Sequence, residues 1–282
     1  MYDYRGTVSL VTGASTGLGA AYADELARRG SALVLVARRA AALDEVAARI
    51  RVRHGVQVTT LPADLGRPED VTALLEEIDR RDRPVDLVVN NAGMSAVGPF
   101  LDGRPDRDLD SIALNVTALV TLTHGFGRRM AARGRGGIIN VASTAAFQPM
   151  PFQATYGAGK AFVLSFTEAL AEELRGGPVR VMAAHPGATA TGFFDRTSHT
   201  MDAAAADPAD RVAARTLDDF ARGRPASYPG RPAFRAMTWL PRLVSRRLAA
   251  RLAGGFNRRS GVDRATNAPG AAGHTPTSSG RM

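Results

Sequence analysis

Cysteine is absent from this chain of 282 residues. The absence excludes disulfides, thiolate zinc sites and a cysteine nucleophile, and it fits a reducing compartment. Long apolar runs are also missing, because none approaches the roughly 18 residues that a membrane-spanning helix needs. A strand pattern begins at Val8, which leaves no room for a signal peptide. We therefore expect a soluble, cytoplasmic protein with one large core, since 45% of its residues are hydrophobic.

Lysine is nearly absent as well. The only one is Lys160, and the other 35 of the 36 basic residues are arginine. Tyr156 precedes it by four residues, so both side chains would share one face of a helix, and Ser143 lies thirteen residues before Tyr156. A nearby ammonium favours phenolate, so we expect the pKa of Tyr156 to be lowered. In an arbitrary chain a solvated lysine on an ordinary helix would explain this spacing, so the interpretation depends on the other motifs.

Acidic residues are scarce in the C-terminal segment. Residues 222–282 contain 12 arginines and a single acid, Asp263, a balance of +11, which leaves −2 of the net charge of +9 for residues 1–221. The basic character therefore belongs to one segment and not to the body. No nucleic-acid motif or aromatic stacking platform accompanies it, so we expect no nucleic-acid partner.

What the first two thirds of the chain contain is an alternation of short apolar runs and longer amphipathic stretches. This alternation predicts a doubly wound α/β domain, whose parallel sheet is covered by helices on both faces in three layers. The predicted strands are Val8–Val11, Ala32–Ala37, Val56–Leu61, Val85–Asn90, Gly137–Ala142 and Val179–Ala184, and the predicted helices cover residues 18–29, 40–53, 68–81, 106–133 and 153–175. Ligands of such a domain bind at the carboxyl ends of the strands.

A glycine-rich loop joins the first strand to the first helix. Gly13 permits a tight turn, Gly17 lets the backbone approach a ligand, and Gly19 allows close packing of helix on strand. The free N–H groups at the start of that helix suit a pyrophosphate. Alone, such a loop is explained as readily by a structural turn, but its place between the first strand and helix favours a nucleotide site.

Several motifs now stand in a fixed order along the chain: Thr12-Gly13-x-x-x-Gly17-x-Gly19, Asn90-Asn91-Ala92-Gly93, Asn115, Ser143, Tyr156-x-x-x-Lys160 and Pro186-Gly187. Together they resemble the short-chain dehydrogenase/reductase family over roughly residues 5–195. The resemblance implies a Rossmann-type fold, a nicotinamide cofactor and reversible carbonyl/alcohol chemistry. It also implies a homodimer or homotetramer formed through the two long helices, 106–133 and 153–175.

The same resemblance implies a role for each catalytic residue. Tyr156 would be the general acid in reduction, Lys160 would lower its pKa and hydrogen-bond the nicotinamide ribose, and Ser143 would donate to the substrate oxygen. Asn115 would hold a proton-relay water near Lys160; read alone, it is a helix-interior polar residue that is satisfied locally, and Ser143 alone is as readily a cap or turn residue. Asn90 and Gly93 would border the adenosine ribose. The residues expected to bind the cofactor are Gly13, Ser15, Thr16, Gly17, Leu18, Gly19, Arg38, Arg39, Asp64, Leu65, Asn91, Ala92, Gly93, Tyr156, Lys160, Pro186, Gly187, Thr189 and Thr191. No metal site is expected.

The end of the second strand bears on the choice of cofactor. NAD-preferring enzymes of this fold place an acidic residue there, whereas this strand runs into Arg38 and Arg39. A guanidinium at that point can pair with a 2′-phosphate, so we expect NADP(H), with NAD(H) less favoured. The alternative is that both arginines are surface charges in an arginine-rich protein.

The expected substrate is hydrophobic. Apolar residues within 147–153, together with Phe193 and Phe194, would line the entrance, which favours a 3-oxoacyl, steroid-like or secondary-metabolite ketone. Gly157 and Gly159 either make room for a bulky substrate or reflect drift in a glycine-rich sequence. A non-catalytic dinucleotide-binding regulator or scaffold is the alternative function.

Beyond Thr191 the family pattern fades. We expect one domain over residues 1–259, in which 192–259 form a substrate lid, with its mobile part at 192–206, and a C-terminal helical region. Pro208 would begin a helix to Ala221, and Ala226–Tyr228 would be the last strand. An amphipathic helix would follow, kinked or restarted at Pro241, with an apolar stripe of Phe234, Met237, Leu240, Val244, Leu248 and Leu252. Such a basic helix packs on its own domain or on a neighbouring subunit, or it lies peripherally on an anionic membrane. Residues 260–282 would be a disordered tail.

Overall fold

A central parallel sheet organises the protein. The computed structural model describes residues 1–191 and 206–265, and seven strands of these ranges form the sheet in the order β3-β2-β1-β4-β5-β6-β9. Two more strands, β7 and β8, pair apart from it. The strands are β1 Val8–Thr12, β2 Ala32–Ala37, β3 Val58–Pro62, β4 Leu87–Asn90, β5 Gly136–Val141, β6 Val179–Ala184, β7 Thr189–Ala190, β8 Asp207–Pro208 and β9 Ala226–Ser227.

Helices cover both faces of the sheet, so the predicted doubly wound, three-layer Rossmann-type fold is confirmed. The helices are α1 Gly17–Arg28, α2 Ala40–His54, α3 Pro68–Asp79, α4 Pro105–Ile112, α5 Ala118–Arg133, α6 Ala154–Glu173, α7 Ala209–Ala221, α8 Pro232–Met237, α9 Leu240–Leu243 and α10 Arg246–Arg259. Strand order reverses between β1 and β4, and a crevice for ligands opens at that point.

The core lies on the two faces of the sheet. The central strands are buried on both sides, which explains their unbroken runs of Val, Ile and Leu. Tyr22 and Phe220 are fully buried on one face, and Phe126 and Met130 on the other. This packing holds the carboxyl ends of the strands, and the loops that follow them, in fixed positions.

Two predicted helices differ in the structure. The segment predicted as one helix over 106–133 is α4 and α5 joined by a π-helical turn, Ala113–Thr117. The C-terminal amphipathic pattern forms α8, α9 and α10 in place of one long helix. Pro241 stands in the first turn of α9, where its missing N–H costs nothing, so the predicted restart at this proline is confirmed.

The tail predicted to be disordered, residues 260–282, is ordered as far as Ala265. Residues 262–264 form a 3₁₀ turn, and Val262 and Ala265 are buried against Val97 and the partly buried Phe152. Ordered packing therefore reaches Ala265, because two apolar side chains in a segment of low apolar content are enough to anchor it. The rest of the tail, and almost all of the predicted lid, lie outside the described residues. No helix within the described ranges is long and apolar enough to cross a bilayer.

Candidate active site

The glycine-rich loop links β1 to α1 in the geometry that its glycines allow. Gly13 and Gly17 have φ angles of +67° and +56°, a left-handed region that other residues avoid. At Gly19 a Cβ atom would lie 2.2 Å from the carbonyl oxygen of Gly13, so only glycine permits this approach. The first turn of α1 contains no acid, and the Thr16 side chain does not cap it. The N–H groups there suit a pyrophosphate.

A second loop, residues 91–93, is fixed against the first. The Thr12 hydroxyl accepts hydrogen bonds from the backbone N–H of Asn91 and of Ala92, at 3.0 and 2.9 Å. The Asn91 side-chain amide donates to the carbonyl of Thr12 at 2.9 Å. The Asn90 amide is buried and donates to Asn140 Oδ1 at 2.9 Å, which ties β4 to β5, and its place at the border of the adenosine ribose stays a prediction.

Three chemically active side chains converge beside these loops. Ser143 follows β5 and caps a 3₁₀ turn, and its hydroxyl accepts from the N–H of Ala145 at 3.1 Å. It also hydrogen-bonds the hydroxyl of Tyr156, on α6. One helical turn later, Lys160 Nζ donates to the carbonyl oxygen of Val141 at 2.8 Å and lies 5.9 Å from the centroid of the Tyr156 ring. The predicted serine, tyrosine and lysine thus meet in space.

The pKa of Tyr156 was expected to be lowered, and for the protein alone this direction is wrong. Burial raises the pKa of Tyr156, and the hydrogen bond with Ser143 acts in the opposite direction without overcoming it. Burial also lowers the pKa of Lys160 to about 8. The spacing in sequence predicts proximity of the two groups, but the ammonium donates to Val141, and desolvation disfavours the charged form of both groups.

Asn115 lies behind this group, in the π-helical turn. Its amide nitrogen donates to the carbonyl of Met94 at 2.7 Å and to Ser111 Oγ at 2.9 Å, while its Oδ1 accepts from the Met94 N–H at 3.1 Å. A Cβ atom on Gly93 would lie 2.7 Å from Asn115 Oδ1 and 3.6 Å from Lys160 Nζ. Asn115 and Lys160 therefore approach the same point from two helices.

The glycine-rich loop, the loop at residues 91–93 and the three chemically active side chains border one cavity of about 1130 Å³. Every residue expected to bind the cofactor lines it, as do Ser143, Tyr156 and Lys160, whereas Asn115 is buried behind the wall. The other end is mostly apolar and includes Met94, Leu114, Met150, Phe234, Met237, Val244, Leu252 and Phe256. Phe193 and Phe194 lie outside the described residues. Among those residues no cluster of His, Asp or Glu could hold a metal ion.

Arg107 is a cavity residue that the motifs did not reveal. It belongs to no motif of the chain, and the only signal that could have found it is its position eight residues before Asn115 on the same helical segment.

At the adenosine end, Arg38 and Arg39 extend from β2 as exposed side chains. Arg38 lies 3.7 Å from Asp64, an ion pair between groups that are 45% and 37% exposed, so the guanidinium is only loosely held. Asp64 also accepts a hydrogen bond from the Gly66 N–H at 3.1 Å. Both arginines line the cavity.

Gly157 and Gly159 differ in their surroundings. A Cβ atom at Gly157 would lie 2.9 Å from Cβ and from Cγ of Met150, so this glycine makes room for the loop over residues 147–153. At Gly159 the nearest atom, in Val116, would be 3.6 Å away, which is ordinary contact. Neither glycine by itself opens space for a substrate.

Comparison with known proteins agrees with this geometry. The family model described as short chain dehydrogenase matches residues 7–202. The very-long-chain 3-oxoacyl-CoA reductase-B of Danio rerio is 35% identical over 185 residues, which are 64% of this chain and 59% of that protein. The chain spans between about half and three fifths of the length of the first curated relatives that it matches.

Two solved structures are similar over most of their length. A short-chain dehydrogenase from Sphingobium yanoikuyae in complex with NADPH has 35% identity and a TM-score of 0.74, covering 90% of this chain and 94% of the other. A short chain dehydrogenase/reductase from Burkholderia phymatum in complex with NAD has 26% identity and a TM-score of 0.79, covering 86% and 95%.

Proposed function

The chain belongs to the short-chain dehydrogenase family, and from that premise we propose that it is an oxidoreductase that reduces a hydrophobic ketone with NADPH. The observation that carries the proposal is the meeting of Ser143, Tyr156 and Lys160 on the wall of the cavity that the glycine-rich loop also borders. A catalytic set and a dinucleotide cradle in one cavity are what hydride transfer between cofactor and carbonyl needs.

Each side chain has a defined task in this reaction. The bound cofactor supplies the hydride. The Tyr156 hydroxyl gives its proton to the carbonyl oxygen, and the Ser143 hydroxyl donates a hydrogen bond to the same oxygen as negative charge develops there. Lys160, which is buried and donates to Val141 O, places a positive charge behind the phenol. Because burial raises the pKa of Tyr156, the phenol carries its proton at neutral pH and can act as the acid in reduction.

The preference for NADPH is supported by Arg38 and Arg39. Both line the cavity at the end of β2, where no acidic residue is present to bind a ribose diol. The loosely held Arg38 can exchange Asp64 for a 2′-phosphate, and a charge-assisted contact with phosphate is stronger than an exposed ion pair. One of the similar structures contains NADPH and another contains NAD.

The apolar end of the cavity supports a hydrophobic substrate, such as a 3-oxoacyl, steroid-like or secondary-metabolite ketone. Its wall comes from the loop over 147–153 and from α8 to α10. A homodimer or homotetramer is supported by Leu109, Ile112 and Phe162, which are 64%, 43% and 42% exposed on α4 and α6. Peripheral contact with a membrane through residues 232–259 is part of the same proposal.

A carbonyl panel tests the activity. We expect the wild type to oxidise NADPH with apolar ketones, with a higher kcat/KM than for NADH. Tyr156→Phe should lower kcat by about 10²-fold to 10⁴-fold, the usual contribution of a general acid, and should still bind NADPH. Arg38→Gln should lose most of the advantage of NADPH over NADH.

The controls separate the possible failures. Equal turnover by Tyr156→Phe would contradict the assignment of the acid, and a wild-type preference for NADH would contradict the cofactor. Tight NADPH binding without turnover of any ketone or alcohol would favour the regulator or scaffold.

A further inference from the structure

Arg107 is a cation in the apolar end of the catalytic cavity. It lies on α4 and lines the cavity together with Met94, Leu114 and Val262. The side chain is half-buried, with its Nε atom fully buried. A guanidinium remains protonated at any ordinary pH, and its buried part loses hydration that a partner in the cavity would restore.

The described part of the chain provides none. Arg107 Nε is buried without a hydrogen-bond partner, and no carboxylate within those residues lies within ion-pair distance of the guanidinium. The neighbouring acid Asp106 pairs instead with Arg104, at 2.5 Å. Asp64 is the only carboxylate among the described residues that line the cavity, and it pairs with Arg38 at the opposite, adenosine end. The apolar end thus has one unmatched positive charge.

The helix sets the distance from this charge to the reacting centre. Arg107, Ser111 and Asn115 follow one another at intervals of four residues, on one side of α4 and the π-helical turn, and Ser111 and Asn115 are joined by a hydrogen bond of 2.9 Å. Eight residues at 1.5 Å each correspond to about 12 Å along the axis. Because Asn115 lies beside Gly93 and Lys160, the backbone of Arg107 is on the order of 12 Å along the helix axis from the reacting centre, and the guanidinium lies within one side-chain length of that point.

We propose that Arg107 is an anion-binding subsite, so that the preferred substrate is an apolar ketone with a carboxylate or phosphate at its far end. This inference rests on the proposed reductase function and specifies its substrate class. The apolar wall holds the body of the substrate, Tyr156 and Ser143 hold the ketone, and Arg107 binds the anionic group by charge-assisted hydrogen bonds. A saturated spacer of several carbon atoms spans a distance of this order.

One rival partner is present in the chain itself. Asp263 follows Val262 directly, and its Oδ1 is also buried without a hydrogen-bond partner among the described residues. If the two closed on each other in solution, Arg107 would be a structural ion pair. The two ideas differ in what they predict for Asp263→Asn, which would weaken a structural pair but would remove a competitor for an anionic substrate.

Matched probes of one spacer length test the subsite: a keto acid, its methyl ester and the corresponding keto phosphate. We expect the wild type to favour the acid or the phosphate over the ester by about tenfold or more in kcat/KM, mainly through KM. Arg107→Met should bring the preferred anion down to the level of the ester and leave the ester within about twofold, whereas Arg107→Lys should retain part of the preference. Asp263→Asn should lower KM for the anion. Whichever of the two anions is preferred identifies the group.

Arg104→Met is the matched control, since Arg104 is an exposed arginine of the same segment that pairs with Asp106 and does not line the cavity. It should change neither ratio. An equal loss for ester and anion in Arg107→Met, or no anion preference in the wild type, would overturn the inference. Calorimetric binding of the same probes gives the result without turnover, so an enzyme that binds the keto acid through Arg107 but reduces nothing would contradict the reductase function alone.

Discussion

His185 is a buried imidazole immediately before the Pro186-Gly187 turn. It is 1% exposed, and its ring lies 5.1 Å from the ring centroid of Phe147 and 5.0 Å from that of Tyr228. Neither ring nitrogen has a hydrogen-bond partner among the residues that the structure describes. Burial lowers the pKa of His185 to about 4, so the ring is neutral at pH 7.

The free energy of unfolding should therefore depend on pH. The unfolded chain takes up a proton near the ordinary value of 6.5, whereas the folded protein resists it until about 4. The contribution of His185 to the free energy of unfolding is fully present above pH 6.5 and is lost as the pH drops toward 4, a decrease of about 3 kcal/mol. Urea titrations at several pH values should show this slope in the wild type and a smaller one in His185→Leu. His124→Leu, which changes an exposed histidine, should keep the wild-type slope; identical slopes in all three proteins would contradict the prediction.

At the scale of single residues, the sequence predicts where side chains lie better than it predicts their pKa values. The helical period places Tyr156 and Lys160 on one face, and the order of the strands brings Ser143 to them, so their meeting could be predicted. The pKa of Tyr156 could not, because it depends on how much water the packed loops exclude. His185 carries no spacing signal and Arg107 only its position eight residues before Asn115, so tertiary packing alone shows that their buried nitrogen atoms have no hydrogen-bond partner among the described residues.

The two glycines of α6 offer a matched test at the level of the element. Gly157→Ala forces Cβ to within 2.9 Å of Met150 Cβ, which is not a flexible side-chain end, so the loop over 147–153 must shift. Gly159→Ala meets Val116 only at 3.6 Å and should stabilise the helix by about 0.5 to 1 kcal/mol. We expect the first substitution to lower the unfolding free energy, by about 1 to 3 kcal/mol, and to raise KM. Equal stabilisation by the two substitutions, measured by urea unfolding, would contradict this prediction, because it would show that the Met150 side chain moves aside without cost.

Element bounds were predictable where the local pattern is strong. β2 and β6 agree with prediction at both ends, because their largely apolar segments, rich in Val and Ala, are bounded by polar or turn residues. The π-helical turn at Ala113–Thr117 was not predictable, since it adds no residue type that differs from an ordinary helix. The breaks between α8, α9 and α10 do not follow from the apolar period, which continues through them; Pro241 stands in the first turn of α9, and Ser245 caps α10.

Across the whole molecule the C-terminal helices contact their own domain by only one side. Gly254 packs on Pro151, Asn257 donates to the carbonyl of Pro151 at 2.7 Å, and the Arg258 guanidinium lies over the Phe152 ring. Two large apolar side chains that do not line the cavity remain outside: Leu243 is 80% exposed and Leu248 is 44% exposed. The predicted docking on the domain is thus present, but it uses small and polar residues in place of the whole apolar stripe.

The exposed side of these helices combines apolar groups with an excess of positive charge. No acidic residue occurs between positions 232 and 262, whereas the body of the chain is slightly negative. This asymmetry would orient the molecule with its C-terminal helices toward an anionic surface, and the same helices wall the apolar end of the cavity. An apolar substrate would then reach the cavity from the bilayer side.

Vesicle sedimentation measures this orientation. We expect the protein to pellet with vesicles that contain phosphatidylserine and not with pure phosphatidylcholine, and to be released by salt. Arg246→Gln with Arg247→Gln should weaken binding roughly 30-fold, because each basic residue near the surface contributes about 1 kcal/mol. Leu243→Ser with Leu248→Ser should weaken vesicle binding too, and because neither side chain lines the cavity, reduction of a water-soluble ketone should not change.

Val52→Ser is the control: it alters an 89% exposed residue on α2 and should bind vesicles as the wild type does. Equal binding to both vesicle types would contradict the prediction, and a concentration-dependent oligomer lost in the double serine variant would show that a second copy covers this side instead.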